Sequence, residues 1–169
     1  MEKTEKNWYV LYTKPRSEFK ALEQLKEIEI ETYLPTITIT RQWKDRKKKV
    51  EEALFKSYIF IYGEDADRSK AVTRDAIVKS IFFNDKPAVV PQKEIDSLKK
   101  VLASQERIEV FTGIVRGAYV KIGSGPFEGV EGIVESISKD ESTLSISIHT
   151  LNRTVVTAIP ASTKVKRIN

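Results

Sequence analysis

Glycine is distributed very unevenly along this chain. Six of its seven glycines fall between Gly113 and Gly132, and beyond Arg107 no helical periodicity of apolar residues remains. Glycine permits the tight turns of small β structures and weakens helices. We therefore expect an α+β first domain over residues 1–106, a linker over residues 107–116 and a small all-β domain over residues 117–169.

The first part of the chain alternates between strand and helix patterns. Residues 8–12 form an apolar, aromatic run that predicts a buried strand, and Phe19, Leu22 and Leu25 then recur at helical spacing. Strand patterns follow at residues 36–40, 58–62 and 79–83, with helical patterns at residues 65–76 and 92–104. The order β-α-β-β-α-β-α predicts an antiparallel sheet with helices.

The positive charge of the chain is concentrated in one stretch. Residues 41–49 carry a net charge of +5, which equals the net charge of the whole chain. The stretch lies between two strand patterns, so we expect a β-hairpin whose tip holds residues 43–49. Clustered cations favour contact with a polyanion. The alternative is a solvated loop that keeps the protein soluble. The candidate residues are Arg41, Trp43, Lys44, Arg46, Lys47, Lys48 and Lys49.

The second part predicts five short strands, at residues 118–122, 129–137, 143–149, 153–159 and 165–168. Residues 144–149 alternate between apolar and polar side chains, so one face of that strand is expected in a core and the other in water. Short strands separated by turn residues are typical of a small barrel.

Residues 117–134 resemble the KOW motif, in which a Gly-Pro-Phe-x-Gly turn joins two strands. Gly125 and Gly129 can adopt positive φ, Pro126 fixes a turn corner and Phe127 can fold over the barrel, while Gly132 allows a kink. The motif positions are Gly117, Val120, Ile122, Gly125, Pro126, Phe127, Gly129 and Gly132. We expect these glycines to shape the turn and to have no chemical role of their own. KOW modules occur in both transcription factors and ribosomal proteins.

The first half resembles the N-terminal domain of the NusG family of transcription factors. The matching segments are residues 8–12, 14–16, 33–35, 54–61 and 87–91, in the family's order and at similar spacings. Within the family the chain is most similar to specialised paralogs such as RfaH and the UpxY antiterminators. One departure is that Lys56 and Ser57 stand where the family commonly has proline followed by glycine or asparagine.

The resemblance implies an exposed apolar surface that binds the clamp coiled coil of the largest RNA polymerase subunit. Four aromatic residues match the family's contact positions: Tyr12, Phe55, Tyr58 and Phe60. Aromatic side chains bury a large area at low entropic cost, so they make effective anchors. The alternative for each ring is the core, since alternate side chains of a strand point inward.

Two further sets of partner contacts follow from the resemblance. Lys14 and Arg16, together with the cationic hairpin, would meet non-template or upstream DNA, with Trp43 stacking on bases. Through His149, Leu151 and Arg153, the KOW domain would bind a second partner, such as a ribosomal protein or the termination factor Rho. Family members that bind Rho carry a phenylalanine in this loop, and this chain does not.

The composition argues against catalysis. The chain has one histidine, no cysteine, no phosphate-binding glycine loop and no acidic cluster at metal-ligand spacing, so we expect no enzyme activity, no metal and no cofactor. His149 is most simply a surface residue, and Asp65 and Asp67 fit helix capping. No apolar run is long enough to span a membrane, and we expect a cytoplasmic monomer.

The function expected from the sequence is transcription elongation or antitermination. The protein would suppress pausing or termination, and as a specialised paralog it would serve only a few operons. Two alternatives stay open. One is a housekeeping NusG that modulates Rho-dependent termination, and the other is a KOW-containing ribosomal or RNA-binding protein. Residues 117–169 carry a net charge of only +1, which is weak support for binding ribosomal RNA.

Overall fold

A computed structural model describes residues 4–104, 106–136 and 138–168 of the chain. Residue contacts divide the chain into two compact units, with the boundary between Val90 and Pro91. Each unit has its own sheet. Ile137, at the end of the strand predicted over residues 129–137, lies outside the described residues.

The first unit contains two helices and nine strands among its described residues. In chain order these are β1 (Asn7–Thr13), α1 (Glu18–Glu27), β2 (Glu31–Tyr33), β3 (Thr36–Gln42), β4 (Lys47–Ala53), β5 (Tyr58–Gly63), α2 (Asp65–Val72), β6 (Ile77–Ser80), β7 (Phe82–Phe83), β8 (Lys86–Pro87) and β9 (Val89–Val90). The strands predicted at residues 8–12, 36–40 and 58–62 and the first two helices are confirmed with shifted ends, whereas the strand predicted at residues 79–83 is divided between β6 and β7, which lie in different sheets.

Strand β1 is the centre of the main sheet. The strand order is β2-β5-β1-β6, β9 also pairs with β1, and all these pairings are antiparallel. Four consecutive residues of β1, from Trp8 to Leu11, are each at most 5% exposed. Both faces of this strand are therefore covered, which explains why its sequence shows a continuous apolar run and no alternation.

The two faces of the sheet differ in chemistry. On one face, Tyr9 and Leu11 pack with Ile59 and Ile61 of β5 and with apolar residues of α1 and α2, including Leu25. The opposite face is rich in aromatic side chains, with Val10 buried among them. Its rings come from β1, β2 and β5, and they are Trp8, Tyr12, Tyr33, Tyr58, Phe60 and Tyr62.

Two separate hairpins extend the first unit. Strands β3 and β4 pair only with each other, as do β7 and β8, within the described part of the chain. Helix α2 begins with a capping box in which the Asp67 carboxylate accepts a hydrogen bond from the backbone N–H of Glu64 at 2.9 Å. Asp65 instead forms an ion pair with Arg68 at 2.8 Å, so capping accounts for Asp67 and the ion pair for Asp65.

The second unit combines one helix with a larger sheet. Its elements are α3 (Gln92–Ala103), β10 (Ile108–Thr112), β11 (Tyr119–Ile122), β12 (Glu131–Ser136), β13 (Glu141–Ile148), a 3₁₀ turn (His149–Leu151), β14 (Arg153–Pro160) and β15 (Val165–Arg167). The apolar face of α3, formed by Ile95, Leu98 and Val101, is fully buried, as its spacing predicts. The helix contacts β13.

The second unit differs from the sequence prediction in two respects, the closure of the barrel and the linker before it. Its six strands follow the order β10-β14-β13-β12-β11-β15, and no pairing between the end strands β10 and β15 is found in the described part of the chain, so a closed barrel is not seen. Strand β10 also lies within residues 107–116, which the sequence predicted as a linker. Its apolar residues are mostly exposed, so they give little periodic signal.

The glycine-rich turn has the geometry that its sequence indicates. Gly125 and Gly129 have φ of 82° and 85°, in the left-handed region, and Phe127 between them is only 3% exposed. Gly132 serves another purpose than the expected kink. A Cβ at this position would lie 2.5 Å from the carbonyl oxygen of Ser145, so glycine lets β12 approach β13.

The division into units also differs from the predicted domain boundary. Helix α3 clusters with the second sheet, whereas the sequence placed it in the first domain. No helix among the described residues is long and apolar enough to cross a membrane.

Candidate functional site: an aromatic sheet face and a cationic hairpin

The rings of the aromatic face form two groups, one of Trp8, Tyr33, Phe60 and Tyr62 and one of Tyr12 and Tyr58. Trp8 lies 5.3 Å from Tyr62 and 6.3 Å from Tyr33, and Tyr33 lies 6.3 Å from Phe60, with the distances measured between ring centroids. Burial raises the pKa of the Tyr33 phenol because the charged phenolate would lose its hydration. At this end of the face Trp8 and Phe60 are buried, whereas Tyr33 and Tyr62 are half-buried.

The four predicted polymerase-binding residues divide into two pairs. Phe55 and Phe60 are 3% and 0% exposed and pack edge to face at 6.3 Å, so they do not form the exposed surface expected from the sequence. Tyr12 and Tyr58 are half-buried and lie opposite each other in the β1–β5 register, with centroids 5.5 Å apart. These two tyrosines carry the aromatic face to the surface.

The turn before β5 determines which rings are inside and which are outside. Ser57 has φ of 65°, a left-handed conformation that glycine or asparagine adopts more readily. Its N–H donates a hydrogen bond to the Glu18 carboxylate at 2.7 Å, and its carbonyl accepts one from the N–H of Thr13 at 2.9 Å. Glu18 is only 7% exposed, which is unusual for a carboxylate.

Glu18 was not among the residues singled out from the sequence. It stands at the first position of α1, where an acidic residue fits the helix dipole and gives no other signal. Its bond to Ser57 spans 39 residues, so only the folded structure brings the two together.

The cationic hairpin is longer and more regular than predicted. The backbone N–H of Trp43 donates a hydrogen bond to the backbone carbonyl of Arg46 at 2.8 Å. This bond closes a tip of residues 43–46. Lys47, Lys48 and Lys49 therefore belong to strand β4 and not to the tip. Trp43 is 57% exposed, and the Lys48 ammonium lies 5.9 Å from its ring centroid.

The cations of the hairpin are not equivalent. Arg41 forms an ion pair with Glu52. Lys44, Arg46, Lys47 and Lys49 are exposed and have no ion-pair partner within the residues that the structure describes. Lys47 and Lys49 pair with Gln42 and Thr40 on one face of the ribbon, where the unpaired charge is concentrated.

The two cations predicted next to β1 are also exposed. Lys14 binds Asp75 at 2.9 Å, and Lys20 binds the other oxygen of the same carboxylate at 2.7 Å. Hydrogen bonds from Lys20 and then Lys14 lower the pKa of Asp75 to about 2. The charge of Lys14 is thus partly compensated, whereas Arg16 is exposed at a left-handed φ of 59°.

The three predicted partner-binding residues of the second unit lie around the 3₁₀ turn. His149 is exposed and bonds to Glu94 at 3.0 Å. Burial raises the pKa of the Glu94 carboxyl, an effect that the His149 bond opposes. Leu151 is 6% exposed and belongs to the core, so it does not form the expected surface. Arg153 is half-buried and donates to the carbonyls of Leu151 and Asn152.

No group of three or more histidine, aspartate or glutamate side chains in the described ranges could hold a metal ion. The chain has no cysteine. The features that stand out chemically are therefore binding surfaces: the Tyr12–Tyr58 pair and the cationic ribbon.

Comparison with known proteins places the chain in a family. The family model described as "Transcription termination factor nusG" matches residues 6–99, which is more than half of the chain. The chain therefore belongs to the NusG family. The matched region contains the whole aromatic face and the whole cationic hairpin.

Individual relatives share this assignment at low identity. The "Transcription termination/antitermination protein NusG" of Pasteurella multocida is 25% identical over 163 residues, covering 89% of each chain. The protein of the same name from Escherichia coli O6:H1 is 25% identical over 166 residues, covering 90% of this chain and 91% of the relative. The solved structure "Domain interaction in Thermotoga maritima NusG" has a TM-score of 0.52 at 21% identity over 98% of each chain, which supports the fold.

We predict that Glu18→Ala destabilises the first unit by about 1.5–3 kcal/mol, because the Ser57 N–H loses a charged acceptor in a nearly buried position. Glu23→Ala is the matched control, since Glu23 is exposed on the same helix, and its effect should stay within about 0.5 kcal/mol. Urea denaturation at neutral pH measures both. Equal losses in the two variants would contradict the role given to Glu18.

Proposed function

We propose that this protein is a non-catalytic transcription elongation and antitermination factor. In this proposal the first unit binds the clamp coiled coil of the largest RNA polymerase subunit and suppresses pausing or termination. Membership of the NusG family and the half-buried Tyr12–Tyr58 pair on the aromatic face support it.

The proposed contact is made by Tyr12 and Tyr58. Both rings are partly exposed and hold each other edge to face, so little side-chain entropy is lost on binding. Phe55 and Phe60 lie in the core and support the tyrosines from within the sheet. A rigid aromatic pair is the type of anchor that contributes most of the energy of an interface.

The proposed second contact is between the cationic ribbon and the nucleic acid near the polymerase, either the non-template strand or the upstream duplex. The unpaired cations of the ribbon can neutralise backbone phosphates, and the exposed Trp43 ring can stack on a base. Lys14 and Arg16 are further cations for this contact. Two weak contacts on one complex reinforce each other through effective concentration.

We further propose that the second unit is a KOW domain with an SH3-like barrel that recruits another protein. The strand–turn–strand geometry of residues 119–136 supports this assignment, as does the similarity of that segment to the KOW motif. The exposed His149 and the half-buried Arg153 are the residues available for such a partner. A ribosomal protein and Rho are the two candidates.

Two forms of this function differ in the number of genes served. The relatives quoted above are named transcription termination/antitermination protein NusG, which favours a housekeeping role. The similarity of the sequence to RfaH and UpxY favours a few operons. Chromatin immunoprecipitation separates the two: signal over all transcribed genes supports the general factor, and signal confined to a few operons supports the specialised one.

We predict that Tyr12→Ala combined with Tyr58→Ala abolishes pause suppression in a reconstituted elongation assay. Loss of a central aromatic pair costs about 2 kcal/mol or more of binding energy, so the concentration needed for half the effect rises roughly 30-fold or more. Pause lifetimes measured against protein concentration give this value directly.

The control is Phe111→Ala, which removes a 49%-exposed ring from the second unit and should leave pause lifetimes as in the wild type. Circular dichroism must show that the double variant is folded. Phe60→Ala would be uninformative, because truncating a fully buried ring costs about 3–5 kcal/mol of stability. If the wild-type protein has no effect on pausing, the proposed function is contradicted.

We predict that Lys47→Gln combined with Lys49→Gln weakens binding to nucleic acid and flattens its salt dependence. Each lost phosphate contact lowers the slope of log K against log salt concentration by about 0.7 on single strands and 0.9 on duplex DNA. Arg41→Gln is the matched control and should change the slope less, because Glu52 already pairs with that charge. An identical slope in all three proteins would exclude the ribbon as the binding surface.

A further inference from the structure

Strand β10 lies at one end of the sheet of the second unit, and its outer edge is free. It pairs with β14 in an uninterrupted register, from Ile108 opposite Thr157 to Thr112 opposite Arg153, and no second neighbour is found within the described ranges. A free edge exposes backbone N–H and C=O groups that can pair with another chain. The partner contacts proposed above do not use this edge.

One hydrogen bond shows which backbone groups of β10 point outward. The N–H of Gly113 donates to the carbonyl of Asn152 at 2.8 Å. In an antiparallel pair, residues that exchange hydrogen bonds with the neighbouring strand alternate with residues that do not. Counting back from Gly113, Phe111 and Glu109 bond to β14. The N–H and C=O groups of the other three strand residues therefore point to the free edge, and these residues are Ile108, Val110 and Thr112.

The side chains of β10 do not protect this edge. Val110 and Phe111 are 37% and 49% exposed, and the strand has no lysine, no proline and no bulge. Charged side chains, proline and bulges are the usual means by which edge strands avoid pairing with other chains. The carboxylate of Glu109 forms an ion pair with Arg107 at 3.2 Å. The free edge is thus apolar and close to neutral.

Strand β15, at the other end of the sheet, differs in this respect. Two of its three residues are the exposed cations Lys166 and Arg167, and Lys166 lies opposite Lys121 of β11. Cations of this kind keep a strand edge in water. The two ends of the sheet therefore differ in their capacity to pair with another chain.

We propose that β10 pairs in antiparallel fashion with β10 of a second copy of this chain. With Val110 on a two-fold axis, Val110 lies opposite its own copy and Ile108 lies opposite Thr112 of the other copy. All outward N–H and C=O groups of both strands are then paired. This dimer differs from the monomer expected from the sequence, and it does not depend on the proposed function.

The sequence of β10 is complementary to itself in this register. Moving the axis by one residue, to Glu109 or to Phe111, leaves Thr112 or Ile108, respectively, without a partner in the strand. An axis at Glu109 would also place two carboxylates directly opposite each other, which is destabilising. With the axis at Val110, each Glu109 lies opposite Phe111 of the other copy. A neutral edge does not select a charged foreign peptide, whereas a second copy supplies the matching strand.

The proposed interface is small. Each copy contributes a strand of five residues. Stable protein interfaces use about 20–30 residues on each side. We therefore expect a weak dimer whose population rises with protein concentration.

Analytical ultracentrifugation of the full chain tests the proposal. The weight-average mass of the wild type should rise with concentration from 19.3 kDa towards twice that value. Val110→Pro should remain at the monomer mass, because proline removes an N–H that points outward and leaves the hydrogen bonds to β14 in place. A constant monomer mass for the wild type up to its solubility limit, or equal association of the wild type and Val110→Pro, would overturn the proposal.

The matched control is Val165→Pro in the opposite edge strand. The N–H of Gly123 donates to the carbonyl of Lys164 at 2.7 Å, so by the same alternation the N–H of Val165 also points outward. Val165 is 47% exposed, which makes it similar to Val110 in environment. Its replacement should leave the association of the wild type unchanged, and circular dichroism establishes that both variants are folded. Loss of association in the Val165 variant alone would place the interface at the other edge and contradict the proposal.

A second measurement maps the pairing without proline. The chain has no cysteine, so Val110→Cys and Val165→Cys each carry a single thiol. Residues of a hydrogen-bonded antiparallel pair have Cα atoms about 5.5 Å apart, within the range that a disulfide bridges. With copper phenanthroline as the oxidant, Val110→Cys should form a covalent dimer several times faster than Val165→Cys. Equal rates, or a faster reaction at position 165, would overturn the proposal. Neither measurement uses pause lifetimes, so the dimer and the polymerase contact can fail independently.

Discussion

The burial of β1 on both faces is the constraint on which the first unit depends. One face of the strand packs on the helices through mainly aliphatic side chains, and the other carries Trp8 and Tyr12, which contact Tyr62 and Tyr58 of β5. Because a shift of one residue would exchange these faces, the β1–β5 register is strongly specified. That register is what places Tyr12 directly opposite Tyr58 at the surface.

The Glu18–Ser57 hydrogen bond joins helix α1 to the turn before β5 and fixes that turn. Serine in a left-handed conformation is strained, and the carboxylate acceptor offsets part of that strain. Phe55 is buried in the core, while Tyr58, three residues later, is half-buried at the start of β5. The chain thus holds a left-handed turn at Ser57, where glycine or asparagine would be less strained.

Patterns that are local in sequence were predicted well, and contacts between distant residues were not. The run at residues 8–12, the spacing of Ile95, Leu98 and Val101, and the positive φ of Gly125 and Gly129 all follow from local rules. The burial of Phe55, Phe60 and Leu151 does not, because an aromatic or aliphatic residue has the same sequence signal inside or outside. Strand β10 was missed for a related reason, since its exposed apolar residues show no alternation.

The central claim is that the Tyr12–Tyr58 pair is the surface by which the protein binds RNA polymerase. The most direct measurement replaces Tyr58 with the photoreactive p-benzoylphenylalanine, adds purified RNA polymerase and maps the crosslinks, with the same replacement at Phe83 as the comparison. The account predicts crosslinks from position 58 to the clamp coiled coil of the largest subunit and none from position 83. Absence of any polymerase crosslink from position 58, with the protein folded, would contradict it.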